Sequence, residues 1–170
     1  MIRIAIAEDW SAIWPTFQQI VVAGDTYAIE PEISSAAARE LWLAPPPNRV
    51  VVYDARAEHD PSAEARILGT ARMGPNRPAN GAHIGTASFM VSPEARGLGV
   101  GRALAEWVIQ WHRTQGFLGI QFNAVVETNT AAVRLWHDLG FRIVGTVPRA
   151  FRSRSHGYVG LHVMFLSLED

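Results

Sequence analysis

Cysteine is absent from this chain of 170 residues. Its absence excludes disulfides, a thiolate nucleophile and cysteine-ligated metal sites, and it accords with a reducing compartment such as the cytoplasm. A surplus of either charge is also missing. The formal net charge is −1, which gives no electrostatic ground for binding nucleic acid or an anionic membrane surface. No apolar run is long enough to span a bilayer. The first residues, Met1 to Asp9, meet acidic side chains too early for a secretory signal. There is no internal repeat and no low-complexity tract. The six histidines, at 59, 83, 112, 137, 156 and 162, show no paired metal spacing, so no metal is expected. What is present is ordinary for a globular protein: 48% hydrophobic and 18% charged residues. The length suggests one domain over residues 1–170 with a real core.

The pattern of elements is mixed. Arg3 to Ala7 reads as a short strand. Asp9 or Ser11 is placed to cap a helix running to about Val22, whose apolar face holds Ile13, Phe17, Ile20 and Val21 and which Gly24-Asp25 stops. A second helix is expected from Ser34 or Ser35 to Leu43, ended by Pro45-Pro46-Pro47. Strands follow at Arg49–Ala55, Arg66–Met73 and Ala82–Val91, with Glu58–Ala65 as an exposed connection and Gly74–Gly81 as a loop. Gly101–Thr114 has helical spacing with one buried face, on which Trp107 and Trp111 read as core. Leu118–Val126 has the near-continuous apolar character of an interior strand covered on both faces. Asn129–Leu139 is a helix closed by Gly140, and Phe141–Val147 and Tyr158–Leu166 are the last strands. A meander followed by strand–helix–strand–helix–strand predicts an α+β sheet with helices on both faces. The basic run Arg149–Arg154 reads first as a solvated loop, with binding of a phosphate or of a carboxylate substrate as the alternative.

The stretch Val91-Ser92-Pro93-Glu94-Ala95-Arg96-Gly97-Leu98-Gly99-Val100-Gly101-Arg102 joins a strand to a helix through a glycine-rich turn. Glycines allow a tight turn and close backbone approach. The following helix aims its dipole and its unpaired N–H groups at the same point, and Arg96 and Arg102 add formal charge. Together these make a site suited to a phosphate or pyrophosphate. Spacing excludes two common owners. The dinucleotide fingerprint needs glycine at its sixth position, where this chain has Arg102, and an early strand–helix–strand unit. The phosphate-loop pattern needs Gly-Lys followed by Ser or Thr, which does not occur.

What remains, Arg96-x-x-Gly99-x-Gly101, resembles the acyl-CoA pyrophosphate loop of the GNAT superfamily of N-acetyltransferases. A second segment, Asn129-Thr130-Ala131-Ala132-Val133-Arg134-Leu135-Trp136-His137-Asp138-Leu139-Gly140-Phe141, is similar to the family's Asn-x-x-Ala-x-x-Leu-Tyr-x-x-x-Gly-Phe helix, in the right order. Gly24-Asp25-Thr26-Tyr27, Leu41-Trp42-Leu43, Phe122-Asn123 and Gly157-Tyr158-Val159 look like the subgroup that acts on small amino acids and proline analogues of the azetidine-2-carboxylate type. Relatives carry Asn about where this chain has Thr86, and many carry Tyr where it has Trp136.

The resemblance implies a sheet of about seven strands and acetyl-CoA as co-substrate. Met90, Val91, Arg96, Gly97, Leu98, Gly99, Val100, Gly101, Arg102, Asn129, Ala132 and Trp136 would hold it. The N–H of Val91 would polarise the thioester carbonyl as oxyanion donor. Asn129 also suits a helix N-cap. Asn123, an amide in an apolar strand, needs hydrogen-bond partners and would orient the acceptor, with Tyr27, Glu30 and Thr86 on the substrate side. Trp136 can donate a hydrogen bond but cannot act as an acid near neutral pH. Glu127 is the preferred general base over Glu30 and Tyr27, although it also suits the start of the Asn129 helix. The expected function is transfer of acetyl from acetyl-CoA to the amine of a small molecule, by direct attack in a ternary complex. A CoA-binding regulatory domain and a protein lysine or N-terminal acetyltransferase are the alternatives. A homodimer is a further expectation, as such assemblies are common in that family.

Overall fold

A computed structural model describes residues 1–56 and 66–169. The expected Glu58–Ala65 connection and His59 lie outside the described residues. Seven strands form one sheet in the order β1-β2-β3-β4-β5-β7-β6. They are β1 (Ile2–Ile4), β2 (Arg49–Asp54), β3 (Ile67–Pro75), β4 (Ile84–Val91), β5 (Gly119–Val126), β6 (Arg142–Ser153) and β7 (Gly157–Ser167). The helices are α1 (Trp10–Ala23), α2 (Ser35–Trp42), α3 (Val100–Thr114) and α4 (Thr130–Asp138). The α+β class and the seven strands agree with expectation.

Alternation along the strands sorts the sheet's side chains between two cores. Val50, Val52 and Met90 join Trp10, Ile13, Phe17, Val21, Ala38 and Trp42 under α1 and α2. Val51, Leu68, Ala71 and Met73 pack on the other face against Val100, Leu104 and Val108 of α3, with Trp107 and Trp111 at the margin. The α4 side continues that face through Phe122, Trp136, Phe141 and Met164. Each fully buried side chain of this size contributes about 1.5–3 kcal/mol.

The start of α1 departs from the expected cap. Asp9 precedes the helix, but its carboxylate makes no cap bond. It is held instead by both terminal nitrogens of Arg3, each at 2.7 Å, and by the Ile6 N–H. Arg3 also bonds Asp54, so one guanidinium ties β1, β2 and the entry to α1. The α2 cap is as expected: Ser34 accepts from the Ala37 N–H.

Two further expectations fail. The basic run 149–154 is not a loop. Residues 149–153 extend β6, where Phe151 and Ser153 are buried between flanking arginines. β5 is not covered throughout either. It is buried at Gly119, Ile120 and Phe122, then bulges before Val125 and exposes Asn123 and Ala124.

Candidate active site

β4 and β5 form the parallel junction of the sheet, and they pair at only two positions, Ile84 with Gly119 and Gly85 with Ile120. Beyond Gly85 they part. The opening is a cleft of about 890 Å³ that passes from the α1 side, at Gln19, Ile20 and Ala23, to the α4 side, at Leu135 and Trp136. Parting leaves the N–H and C=O groups of alternate β4 residues without ladder partners. At Phe89 the phenol of Tyr27 takes both: it donates to the Phe89 carbonyl at 2.6 Å and accepts from its N–H at 3.0 Å. Val91 lies two residues further, so by alternation its N–H faces the same side. Its neighbour Ser92 bonds in the opposite direction, to Leu68.

The glycine turn closes the α4 side of the cleft. A short 3-10 turn, Pro93–Ala95, is capped by the Ser92 side chain and returns the chain toward α3. Gly97 and Gly99 take φ of +81° and +76°, conformations that cost a non-glycine residue roughly 1–2 kcal/mol. Gly101 is helical and has no such need. Two of the expected donors are already used, since Arg96 N–H bonds Pro93 and Leu98 N–H bonds Ala95. The N–H groups of Gly97, Gly99, Val100, Gly101 and Arg102 find no partner among the described residues. They form an array of unpaired donors at the positive end of a fifteen-residue helix. Arg96 lines the cleft from an exposed position. The Arg102 side chain is committed to Asp138 of α4 at 2.8 Å, so it offers the turn only its backbone.

Opposite the turn, Asn129 caps α4 by accepting from the Ala132 N–H at 3.2 Å, and its amide N–H₂ remains available to the cleft. Trp136 is 7% exposed and packs against Phe89, Phe122 and Phe141, forming an apolar wall. On the α1 side Asn123 sits in a chain of amides: it accepts from Gln121 at 2.8 Å and donates to Asn76 at 2.7 Å. Thr86 and Ser88 line the same region.

Several expected residues fall elsewhere. Glu127 does not line the cleft; its carboxylate accepts from the Gly160 N–H on β7. Glu30 is exposed beyond the lining. Tyr27 lines the cleft; burial pushes its phenol far above the ordinary value, and its hydroxyl both donates to and accepts from Phe89. Met90 is buried in the α1/α2 core, and Leu98 is exposed outside the lining. No arginine of the run 149–154 reaches the cleft. Sequence reasoning missed Ser88, Phe89, Phe151 and Leu161, all of which line it. Ser88 was discoverable, because it shares a strand face with Thr86.

The description of the GNAT acetyltransferase family matches residues 6–141 of the chain. A solved GCN5-related N-acetyltransferase from Kribbella flavida is 52% identical and superimposes with a TM-score of 0.90, covering 99% of this chain and 97% of that one. N-acetyltransferase aca1 of Schizosaccharomyces pombe is 38% identical over 108 residues, 61% of this chain and 52% of that protein. An L-methionine sulfoximine/L-methionine sulfone acetyltransferase of Pseudomonas paraeruginosa is 34% identical over 110 residues, 60% of this chain and 63% of that protein. The chain therefore spans about half to two thirds of the length of these two curated relatives. With the family matched from Ile6 to Phe141, across the parted strands and the glycine turn, this chain is a member of the GNAT family of acetyltransferases.

Proposed function

We propose that the protein transfers acetyl from acetyl-CoA to the amine of a free small molecule, an amino acid or analogue, within a ternary complex in the cytoplasm. The observation that carries this reading is the cleft itself. One end offers the unpaired N–H groups of Gly97, Gly99, Val100 and Gly101 at a helix start, and the other offers the Asn123 amide beside Thr86 and Ser88. The donor array suits the pyrophosphate of CoA. The gap between β4 and β5 suits the pantetheine arm, with the Asn129 amide as its side-chain partner. The Val91 N–H then serves as donor to the oxygen of the thioester carbonyl as charge develops there. The relation to the methionine sulfoximine/methionine sulfone acetyltransferase supports an amino-acid-like acceptor.

The chemistry is attack of an amine nitrogen on the thioester carbon, forming the amide and releasing the thiolate. A free thiol titrates at about 8.5, so the thiolate leaves without an acid, and Trp136 supplies none. The larger barrier is the acceptor's own proton. An ammonium of pKa near 10 is roughly 0.1% neutral at pH 7, equivalent to about 4 kcal/mol. Asp25 is the only carboxylate lining the cleft among the described residues, and the hairpin donors on one of its oxygens hold the carboxyl below the usual carboxylate range, which makes it a weak base. The proton therefore leaves through water, and the amine reacts from its neutral fraction.

We further read residues 1–170 as one catalytic domain and the functional unit as a homodimer. Supporting the dimer, residues 142–150 of the edge strand β6 are all exposed, including Ile143, Val144 and Val147. Steady-state kinetics with acetyl-CoA and a turned-over free amino acid test the reaction order. Intersecting double-reciprocal lines support a ternary complex, and parallel lines overturn it.

A further inference from the structure

The connection after α1 is fastened at two points on opposite sides of the cleft. At its start, the αL Gly24 carbonyl accepts from the Arg154 N–H at 3.1 Å, and the Arg154 guanidinium returns to the Val22 carbonyl at 3.1 Å. Asp25 follows. One of its carboxylate oxygens accepts from Ser153 Oγ at 2.6 Å, from Ser155 Oγ at 2.8 Å and from the Ser155 N–H at 3.0 Å. His156 completes the tip: its ring Nδ1 lies 2.7 Å from Ser155 Oγ, and its N–H donates to Ser153 Oγ at 3.0 Å. Two residues on, Tyr27 holds Phe89 of β4.

These fastenings belong to different halves of the sheet. Phe89 is on the β1–β4 side of the gap, and Ser153 and Ser155 end the β6–β7 hairpin on the other side. Asp25, Thr26, Tyr27 and Ala28 all line the cleft. Two peptide steps separate Asp25 from Tyr27, roughly 7 Å at full extension. The segment is thus a short strap drawn across the end of the cleft where β4 and β5 have no ladder to hold them.

Resting on the acetyltransferase reading above, we propose that Asp25 is a positioning residue: by clasping the β6–β7 hairpin it holds the 24–28 strap across the acceptor end of the cleft, setting its width and limiting acceptors to free small amines. The same donors hold the Asp25 carboxyl below the usual carboxylate range, so the clasp stays charged at neutral pH. A polypeptide running through the site would have to pass beneath the strap. Opening the clasp widens the entrance without touching the glycine turn.

Asp25→Ala removes the acceptor of three hydrogen bonds, Asp25→Asn keeps an oxygen to accept them, and Ser155→Ala removes one side-chain donor from an exposed position. With the best free amino acid as acceptor, Asp25→Ala is expected to raise the acceptor KM about tenfold, a fraction of what three bonds to a charged group can contribute. The acetyl-CoA KM stays as in the wild type, Asp25→Asn recovers most of the loss, and Ser155→Ala falls between. The dipeptide of the same amino acid should gain relative to the free amino acid in Asp25→Ala. Equal shifts in both KM values, or none, overturn the positioning role. Hydrogen exchange gives a readout independent of turnover: Asp25→Ala should speed exchange in both 24–28 and 153–157. Unchanged exchange there overturns the clasp even in an active enzyme. A wild type that turns over no free amine, while the variants still differ in exchange, overturns the small-molecule reading and the acceptor role with it, leaving the clasp as a structural tie.

Discussion

Tyr27 and Phe89 are 62 residues apart in the chain, yet the Tyr27 hydroxyl both donates to the Phe89 carbonyl and accepts from its N–H. A phenol therefore does the work that β5 would do if the sheet were continuous. It satisfies the backbone of Phe89 on the parted strand and leaves the N–H of Val91, two residues on, facing the cleft.

Tyr27→Phe removes both bonds with little change in shape. Two backbone groups of Phe89 then lose their partner, which costs about 1–3 kcal/mol. Urea denaturation of the variant should show that loss. The pH dependence of turnover should be unchanged, because burial raises the phenol's pKa far above the ordinary value and keeps it protonated in the working range.

The glycines of the turn should separate by role. Gly99→Ala forces an alanine to φ near +76°, with nothing within 4 Å of the added methyl. The cost is conformational, roughly 1–2 kcal/mol, and the turn relaxes by giving up its N–H array. Calorimetry should show CoA binding lost or strongly weakened. Gly101→Ala meets only Val91 Cγ2 at 3.7 Å and Leu135 Cδ2 at 3.8 Å. It sits in the first turn of α3, where alanine is favoured over glycine by up to about 1 kcal/mol. That variant should be as stable as the wild type or more so and should still bind CoA.

The pH profile of turnover should belong to the acceptor rather than to the protein. Without a carboxylate base in contact with the amine, log kcat/KM rises with unit slope toward the amine's own pKa of about 10. A plateau well below that value would indicate a protein base. Glu127→Gln should leave the profile unchanged, since Glu127 meets Gly160 and not the cleft.

His112 carries an acid-stability prediction. It is fully buried on α3, with Nδ1 at 2.8 Å from the Val108 carbonyl and Nε2, against Gly85, without a hydrogen-bond partner among the described residues. Burial lowers its pKa, outweighing neighbouring backbone carbonyls that favour the charged form. The folded state thus holds the ring neutral while the unfolded chain protonates near 6.5. The stability this provides is complete above that pH. It falls as pH drops below it, and levels off only when the folded ring itself takes a proton. Melting temperatures from pH 8 to 5 should decline more steeply for the wild type than for His112→Gln.

The chain contains no lysine, all fifteen of its basic residues being arginine. With cysteine absent as well, direct transfer predicts that incubation with acetyl-CoA alone leaves the intact mass of the protein unchanged. A stoichiometric acetyl adduct in the mass spectrum would point to a covalent intermediate.

The glycine turn and the Asn129 cap were legible because their geometry is local. Gly97 and Gly99 need positive φ, Asn129 caps the helix that follows it, and both turn and cap are short-range patterns. The strands and helices were legible for the same reason, within a few residues at their ends, except that β6 runs six residues past the expected Val147 to Ser153. Tertiary pairing was not. Asp9 looked like a cap until Arg3 claimed its carboxylate. Glu127 adjoins the Asn129 helix in sequence, but β7 brings the Gly160 N–H to its carboxylate. The run 149–154 looked solvated because charge dominates it, yet alternation along β6 buries Phe151 and Ser153. Nothing near Asp25 in sequence announces Ser153 or Ser155, since only the fold carries the hairpin to it.

The most direct test of the central claim is thiol release from acetyl-CoA, measured against a panel of free amino acids and their analogues with N-terminal peptides alongside. Release that depends on a free amino acid, matched mole for mole by its N-acetyl product and nearly absent with the peptides, is the expected result. Tight CoA binding with no turnover on any free amine, or turnover confined to peptides, would contradict it.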